Sequence, residues 1–249
     1  MHVSTISKFS LALLTTLFPF TTTADLLTPF GTNASPGALQ FQPVLDFDKD
    51  GCYHTAAIST DGSVNSGRTD NSIGPCRDKD RLDHSQTYVR ERCNHGWCAY
   101  LYGYYFEVDV GEFAGGHTHD WEHIIVWTLN GNVFFVSWSA HGDYTTEHQS
   151  VVRFADGTHP KIVYHRGGGL SHSFRKATPE DEAIENDYKS WFKAPLVSLE
   201  KMDCGFVRKL LNNNWGSAHP DLTKDRFGKT LDVAMPWDAR NNEHFDPWN

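Results

Sequence analysis

Metal-capable side chains are concentrated in one short stretch of the sequence, residues 109–123. Two glycines, Gly115 and Gly116, precede its first histidine and allow the backbone to turn tightly. The β-branched run 124–126 that follows predicts a buried strand. The cluster is therefore predicted to lie where a loop enters a strand, held in place by a sheet. Its seven carboxylate and imidazole residues are Asp109, Glu112, His117, His119, Asp120, Glu122 and His123.

The types of side chain in this cluster favour a hard divalent cation. Carboxylate oxygens select magnesium or calcium, whereas several imidazoles or thiolates select zinc. On an extended strand Asp120 and Glu122 point to the same face, and Asp109 can return to that face across the glycine loop. His117, at the loop end of the strand, can face the same ion directly or through water. The sequence thus predicts a site of Asp109, His117, Asp120 and Glu122 that takes magnesium or calcium in preference to zinc.

Two other interpretations of the cluster stay open at this point. The spacing His117-x-His119 suits a zinc pair on a strand, although no clear third ligand follows it. A metal-dependent hydrolase that uses the cluster to activate water is the corresponding alternative function. The cluster can also be a strand end that carries only solvated charge.

The elements around the cluster predict a mainly β protein. Residues 97–106 are apolar on both alternating faces, which is typical of a central strand packed between two layers. Asn130-Gly131 separates two further strands and indicates a hairpin. The predicted fold is an antiparallel β-sandwich with a few peripheral helices. The other predicted elements are strands at 121–129, 133–138, 151–154 and 161–165, a surface loop at 65–85, and helices that start at Thr178 and span 206–211 and 227–235.

The chain is expected to have one domain behind a secretion signal. Residues 1–24 combine Lys8, an apolar run and small residues at a cleavage point, which predicts a signal peptide. Residues 25–39 are interpreted as an N-terminal arm, either mobile or ordered by contact, and residues 40–249 as a single domain. Removing residues 1–24 takes away one lysine and no acidic residue, which changes the formal net charge from −9 to −10. Such an acidic surface argues against a nucleic-acid partner.

Several segments of the chain resemble one known family. Residues 116–122 read GHTHDWE and are similar to the GHRHDWE heptapeptide of the necrosis- and ethylene-inducing-like proteins, which are secreted microbial cytolysins. Residues 97–106, followed by Asp109, resemble the aromatic strand of that family. Thr118 stands where the family usually has arginine, which removes a cation beside the predicted metal site. The remaining matches are residues 50–53, 139–144 and 159–165, so the resemblance covers most of the chain from about residue 40.

The resemblance implies a function without enzymatic turnover. It implies a secreted, virulence-type cytolysin that binds glycosylated inositol-phosphoceramide sphingolipids of the plant plasma membrane in a divalent-metal-dependent way. Membrane damage, necrosis and immune responses would follow, with plant immune receptors as further partners and a monomer in solution. Thr118 supports an alternative within the same fold, namely a secreted glycan-binding or immunity-eliciting protein that does not lyse cells.

The five cysteines suit an oxidising, exported environment. The resemblance implies a Cys52–Cys76 bridge and, as in the family's four-cysteine subgroup, a second bridge between Cys93 and Cys98. Spacing alone leaves the pairing open, because four cysteines allow three connectivities. Cys204 is then unpaired and is expected to be a buried thiol, with an intermolecular bridge as the alternative.

Overall fold

A computed structural model of the chain describes residues 26–111, 116–167 and 171–249. The predicted signal peptide, residues 1–24, lies outside this part of the chain. The described residues form ten strands, six α-helices and three short 3-10 turns. The strands are β1 (Val44–Phe47), β2 (Thr87–Asn94), β3 (Trp97–Asp109), β4 (His117–Leu129), β5 (Asn132–Ala140), β6 (Asp143–His148), β7 (Phe154–Ala155), β8 (His159–Arg166), β9 (His172–Lys176) and β10 (Leu196–Ser198). The helices are α1 (Pro36–Gln40), α2 (Ile73–Cys76), α3 (Lys79–Asp83), α4 (Cys204–Asn212), α5 (Lys224–Ala234) and α6 (Trp237–Asn241), and the 3-10 turns are Gln149–Val151, Pro179–Glu182 and Leu199–Lys201.

The larger of the two sheets has the strand order β10-β2-β3-β4-β5-β6, and β3 lies near its centre. Tyr102 and Phe106 on one face of β3 belong to the core between the two sheets. Leu101 and Tyr105 on the other face pack under the C-terminal helices, which contribute Leu231 and other apolar residues. The predicted strand with two buried faces is confirmed, and the helices supply the third layer that it requires.

The smaller sheet is built around β8, which pairs with β1, β7 and β9. The pairing of β1 with β8 is parallel, as is that of β10 with β2, while the other pairings are antiparallel. Parallel neighbours need long connections, and more than a hundred residues separate β1 from β8. The mainly β sandwich with peripheral helices is thus confirmed, with two mixed sheets.

The hairpin between β4 and β5 forms where Asn130-Gly131 predicts it. Leu129 pairs with Asn132, and both turn residues have positive φ, 50° for Asn130 and 79° for Gly131. Two such residues match the right-handed twist of the flanking strands.

Other predicted elements agree with the structure only in part. The prediction of a strand at 151–154 is wrong, because residues 149–151 form a 3-10 turn and β7 covers only Phe154–Ala155. The expected surface loop 65–85 contains α2 and α3, and its Arg81 is buried against Glu107. This ion pair joins sequence positions that no local pattern connects.

The predicted helices are present near their expected positions. The segments 206–211 and 227–235 lie largely within α4 and α5. The predicted start at Thr178 is a capping box, although it initiates only the 3-10 turn Pro179–Glu182.

The segment 26–39 is fixed to the domain by contacts at and beside β10. Asn33 pairs in parallel with Val197, the middle residue of β10. Lys201, shortly after β10, donates a hydrogen bond of 2.8 Å from its Nζ to the Ala34 carbonyl oxygen. Together they attach the segment at the β10 edge of the larger sheet.

The cysteines form the two bridges that the resemblance implies. Cys52 joins Cys76, and Cys93 joins Cys98 on the neighbouring strand β3. The expectation that Cys204 is buried is wrong, because it is exposed at the first position of α4, directly after the capping residue Asp203. Among the described residues, no helix is long and apolar enough to cross a bilayer.

Candidate functional site

A cavity of about 330 Å³ opens beside the ends of β3 and β4. The four residues predicted to bind a metal, Asp109, His117, Asp120 and Glu122, all line it. Of the three other residues in the cluster, His123 also reaches the wall, His119 does not, and Glu112 lies outside the described residues. The structure therefore brings the predicted set together across the glycine loop.

Asp109 and His117 face each other across the β3–β4 pair. Asp109 is the last residue of β3 and pairs with His117, the first residue of β4. His117 Nε2 lies 3.7 Å from Asp109 Oδ2.

Gly116 lets the chain return close to β3. A Cβ at this position would lie 2.5 Å from the Asp109 carbonyl oxygen and 2.8 Å from the Gly111 nitrogen. Asn71 holds the same turn, since its side chain donates to the Gly111 carbonyl and accepts from the Gly111 amide at 2.8 and 3.0 Å. Only glycine fits a backbone approach this close, so the return of the chain to β3 depends on Gly116.

Asp120 and Glu122 project from β4 toward the space between the sheets. Asp120 Oδ2 accepts a hydrogen bond of 3.0 Å from the Tyr164 hydroxyl on β8. Glu122 Oε2 accepts one from the Ser139 hydroxyl on β5. The two-residue alternation of the strand thus places both carboxylates on one face, as the sequence predicts.

The carboxylates of this cavity are buried and close enough to disturb one another. Burial, followed by the charge of Asp109, raises the pKa of Asp120 to about 6. Burial, followed by the charge of Asp120, raises the pKa of Glu122 well above its ordinary value. Groups withdrawn from water beside like charges resist ionisation, and a bound cation reverses this preference.

His172 is a further residue of the site, and no motif in the sequence predicts its role. It is 2% exposed, and its backbone N and side-chain Nδ1 approach Asp109 Oδ1 at 3.1 and 2.7 Å. The only signal for it in the sequence is its place in the glycine-rich segment 167–173. His172 therefore holds Asp109 through Oδ1, and Asp109 Oδ2 faces His117.

The two histidines of the possible zinc pair are separated in the structure. His117 lines the cavity, and its Nδ1 approaches the His119 carbonyl oxygen at 2.7 Å. His119 has a φ of 62°, and its Nδ1 lies 2.7 Å from the Tyr105 hydroxyl. Its ring packs against Trp215, on the helix-covered side of the sheet. The left-handed backbone at His119 therefore turns this imidazole away from the carboxylates.

The donors fit a hard cation better than a soft one. Among the residues that the structure describes, no three His, Cys, Asp or Glu side chains are grouped closely enough to enclose an ion by themselves. Asp109 and Asp120 supply carboxylate oxygens to the cavity, and its volume leaves room for water. A magnesium ion accepts such a shell because it binds one or two carboxylates and retains water, and a calcium ion can complete its larger oxygen shell with water.

Another part of the cavity wall comes from the C-terminal segment 217–226, which no sequence motif indicated. The Asp221 amide donates a 3.1 Å hydrogen bond to His123 Nε2, which attaches this segment to β4. Arg226 at the start of α5 is the only arginine or lysine among the described residues that line the cavity, and it lies 3.6 Å from Asp221.

Comparison with known proteins places the chain in a family. Residues 36–234 match the family model described as Necrosis inducing protein (NPP1). The chain belongs to this family. It is 31% identical over 205 residues to NLP effector protein 10 of Phytophthora capsici, which covers 80% of this chain and 82% of the relative. It also spans 63% of the length of two longer relatives from the same organism, NLP effector proteins 7 and 9.

Several solved structures share the fold of this chain. One, described as a non-toxic HaNLP3 protein, superposes with a TM-score of 0.72 at 23% identity and covers 85% of this chain and 98% of its own. Another, described as NLPPya in complex with glucosamine, has a TM-score of 0.69 at 26% identity and covers 84% and 96%. The fold class and the family predicted from the sequence are both confirmed. The relatives are named as effectors, not as enzymes.

Proposed function

We propose that this protein is a secreted cytolysin that uses a divalent cation to bind glycosylated inositol-phosphoceramide sphingolipids of the plant plasma membrane. One observation carries the proposal. Three carboxylates, Asp109, Asp120 and Glu122, line a single cavity while being only 1%, 7% and 6% exposed. Buried acids of this kind are expensive without a cation and are typical of functional sites.

The bound cation would be magnesium or calcium, held by Asp109 and Asp120. His117 and Glu122 would support it through water, and His172 would keep Asp109 in position. The ion would supply a positive centre that coordinates the hydroxyl groups of a sugar. The glucosamine complex of the NLPPya protein supports a sugar as the ligand class, since the two chains share this fold at 26% identity. Membrane damage would then follow binding without turnover of substrate.

Dye leakage from vesicles of plant sphingolipids tests this proposal. We expect Asp109→Asn and Asp120→Asn to abolish leakage, because each removes a charged oxygen from the cation while keeping an oxygen that accepts the existing hydrogen bond. Asp187→Asn is the matched control, since Asp187 is exposed and lies outside the cavity. A chelator should act on the wild type as the two cavity substitutions do. Full leakage from either cavity variant would contradict the proposal.

Thr118 supports a second candidate, a secreted immunity-eliciting or glycan-binding protein without lytic activity. Its hydroxyl donates to the Arg68 carbonyl at 2.9 Å, so this position is occupied by packing and carries no cation into the site. Because the fold also occurs in a protein described as non-toxic, architecture alone does not decide between the two candidates. Infiltration of purified protein into a dicot leaf separates them, since necrosis at low dose excludes the non-lytic candidate.

A further inference from the structure

The acidic cavity continues into a second, smaller groove of about 130 Å³ along α5. The two share a wall made of Gly142, Tyr144, Asp221 and Arg226. The groove adds Lys229, which lies three residues after Arg226 and therefore on the same side of the helix. A ligand in the cavity can therefore extend along α5 and contact both Arg226 and Lys229.

Arg226 is held at the junction between the two spaces. Its Nη1 lies 3.6 Å from Asp221 Oδ1. Asp221 Oδ2 in turn accepts hydrogen bonds from Thr230 at 2.9 Å and from Tyr144 at 3.3 Å. The Arg226 side chain remains 46% exposed, so its other donors stay available to a ligand. Asp221 therefore positions the guanidinium and neutralises only part of the local positive charge, because Lys229 is exposed beside it.

The charges of the combined space are distributed unevenly between the cavity and the groove. Asp109, Asp120 and Glu122 line only the cavity and Lys229 lines only the groove, whereas the pair of Asp221 and Arg226 lines both. A neutral sugar would use only the carboxylate part of this space, through its hydroxyl groups. A guanidinium and an ammonium group can each bind a phosphate or carboxylate group through charge-assisted hydrogen bonds.

We propose that Arg226 and Lys229 form an oxyanion subsite that selects ligands in which a hydroxyl-rich ring carries a phosphate group. The inference rests on the proposed function for the hydroxyl end of the ligand. Arg226 also supplies the cavity wall with a cation in a chain that has Thr118, and not arginine, in its heptapeptide. Because the whole chain has a net charge of −9, a local cationic patch would favour the approach of an anionic ligand.

The test compares myo-inositol 1-phosphate with myo-inositol by calorimetry in the presence of magnesium. We expect the wild type to bind the phosphate ester about tenfold more tightly, which is what one charge-assisted contact contributes. Arg226→Gln with Lys229→Gln should reduce this ratio to near one. Lys229→Gln alone, which leaves the Arg226–Asp221 pair intact, should reduce it partly. The control is Arg208→Gln with Lys224→Gln, which removes the same charge from exposed positions outside both spaces.

A wild-type ratio near one would overturn the proposal, and so would an unchanged ratio in the double variant. Asp120→Asn separates this proposal from that of the metal site. If Asp120→Asn retains both the wild-type affinity for myo-inositol and the Arg226-dependent preference for phosphate, the subsite stands and the metal-dependent function falls. Flotation with phosphatidylcholine vesicles, with and without phosphatidylinositol, then distinguishes a lipid head group from a free phosphate ester as the source of the ligand.

Discussion

Replacing Asp120 by asparagine should stabilise the metal-free protein while removing its response to metal. Burial and the charge of Asp109 raise the pKa of Asp120 from its ordinary value of 3.8 to about 6. Since one pKa unit corresponds to about 1.36 kcal/mol, the ionised carboxylate costs the folded state about 3 kcal/mol at pH 8. Asparagine has nearly the same shape and can still accept the hydrogen bond from Tyr164, so Asp120→Asn should recover most of this cost.

The sign of the effect fixes its pH dependence. The pKa of Asp120 is higher in the folded state than in the unfolded state. As the pH falls through about 6, Asp120 is therefore protonated in the folded protein before it is protonated in the unfolded chain. The stability advantage of Asp120→Asn is therefore largest at pH 8 and shrinks toward pH 4. Metal added at pH 8 should instead reduce the stability advantage of Asp120→Asn over the wild type. A cation at about one hundred times its dissociation constant should stabilise the wild type by about 2.7 kcal/mol and the variant hardly at all.

Urea unfolding followed by tryptophan fluorescence measures both effects, with chelator and with excess calcium or magnesium. Asp187→Asn is again the control, since the exposed Asp187 should leave both curves unchanged. The reasoning is refuted if Asp120→Asn is no more stable than the wild type in chelator at pH 8. It is refuted equally if added metal stabilises the variant as much as the wild type, because another group would then hold the ion.

Three further predictions concern the fold. Burial lowers the pKa of His54 to about 3, and both of its ring nitrogens are buried without a partner, so only the unfolded state gains its proton as the pH falls below 6.5. The wild type should therefore lose about 2 kcal/mol more stability between pH 7.5 and 5 than His54→Phe, as chemical denaturation at each pH will show; equal losses would contradict this. Replacing Cys52 and Cys76 by alanine opens a 24-residue loop and should cost about 3.5 kcal/mol of unfolding free energy, against about 2 kcal/mol for the five-residue Cys93–Cys98 loop. The reverse ranking in urea would disagree with the loop-entropy account. Native protein should react with one equivalent of a thiol reagent and Cys204→Ser with none, because Cys204 is exposed and the other four cysteines are paired; a slow reaction that needs denaturant would show that Cys204 is buried.

The sequence determined those features that depend on local pattern. Two-residue alternation placed Asp120 and Glu122 on one face of β4, and Asn130-Gly131 located the hairpin that follows. The apolar run 97–106 identified the central strand. These predictions held because pleat geometry and turn conformation depend on neighbouring residues, whatever the rest of the chain does.

Only the tertiary structure decided what completes the site. His172 reaches Asp109 from β9, sixty-three positions away, and Asp221 and Arg226 close the cavity from the C-terminal segment. His119 lies inside the cluster by sequence, yet its positive φ turns it toward Tyr105 and away from the carboxylates. The periodicity of a segment shows which of its faces is buried but not which distant segment covers that face, because the hydrophobic effect is non-directional and does not select a partner. The sequence could thus name the acids of the site, while packing selected the groups that orient them.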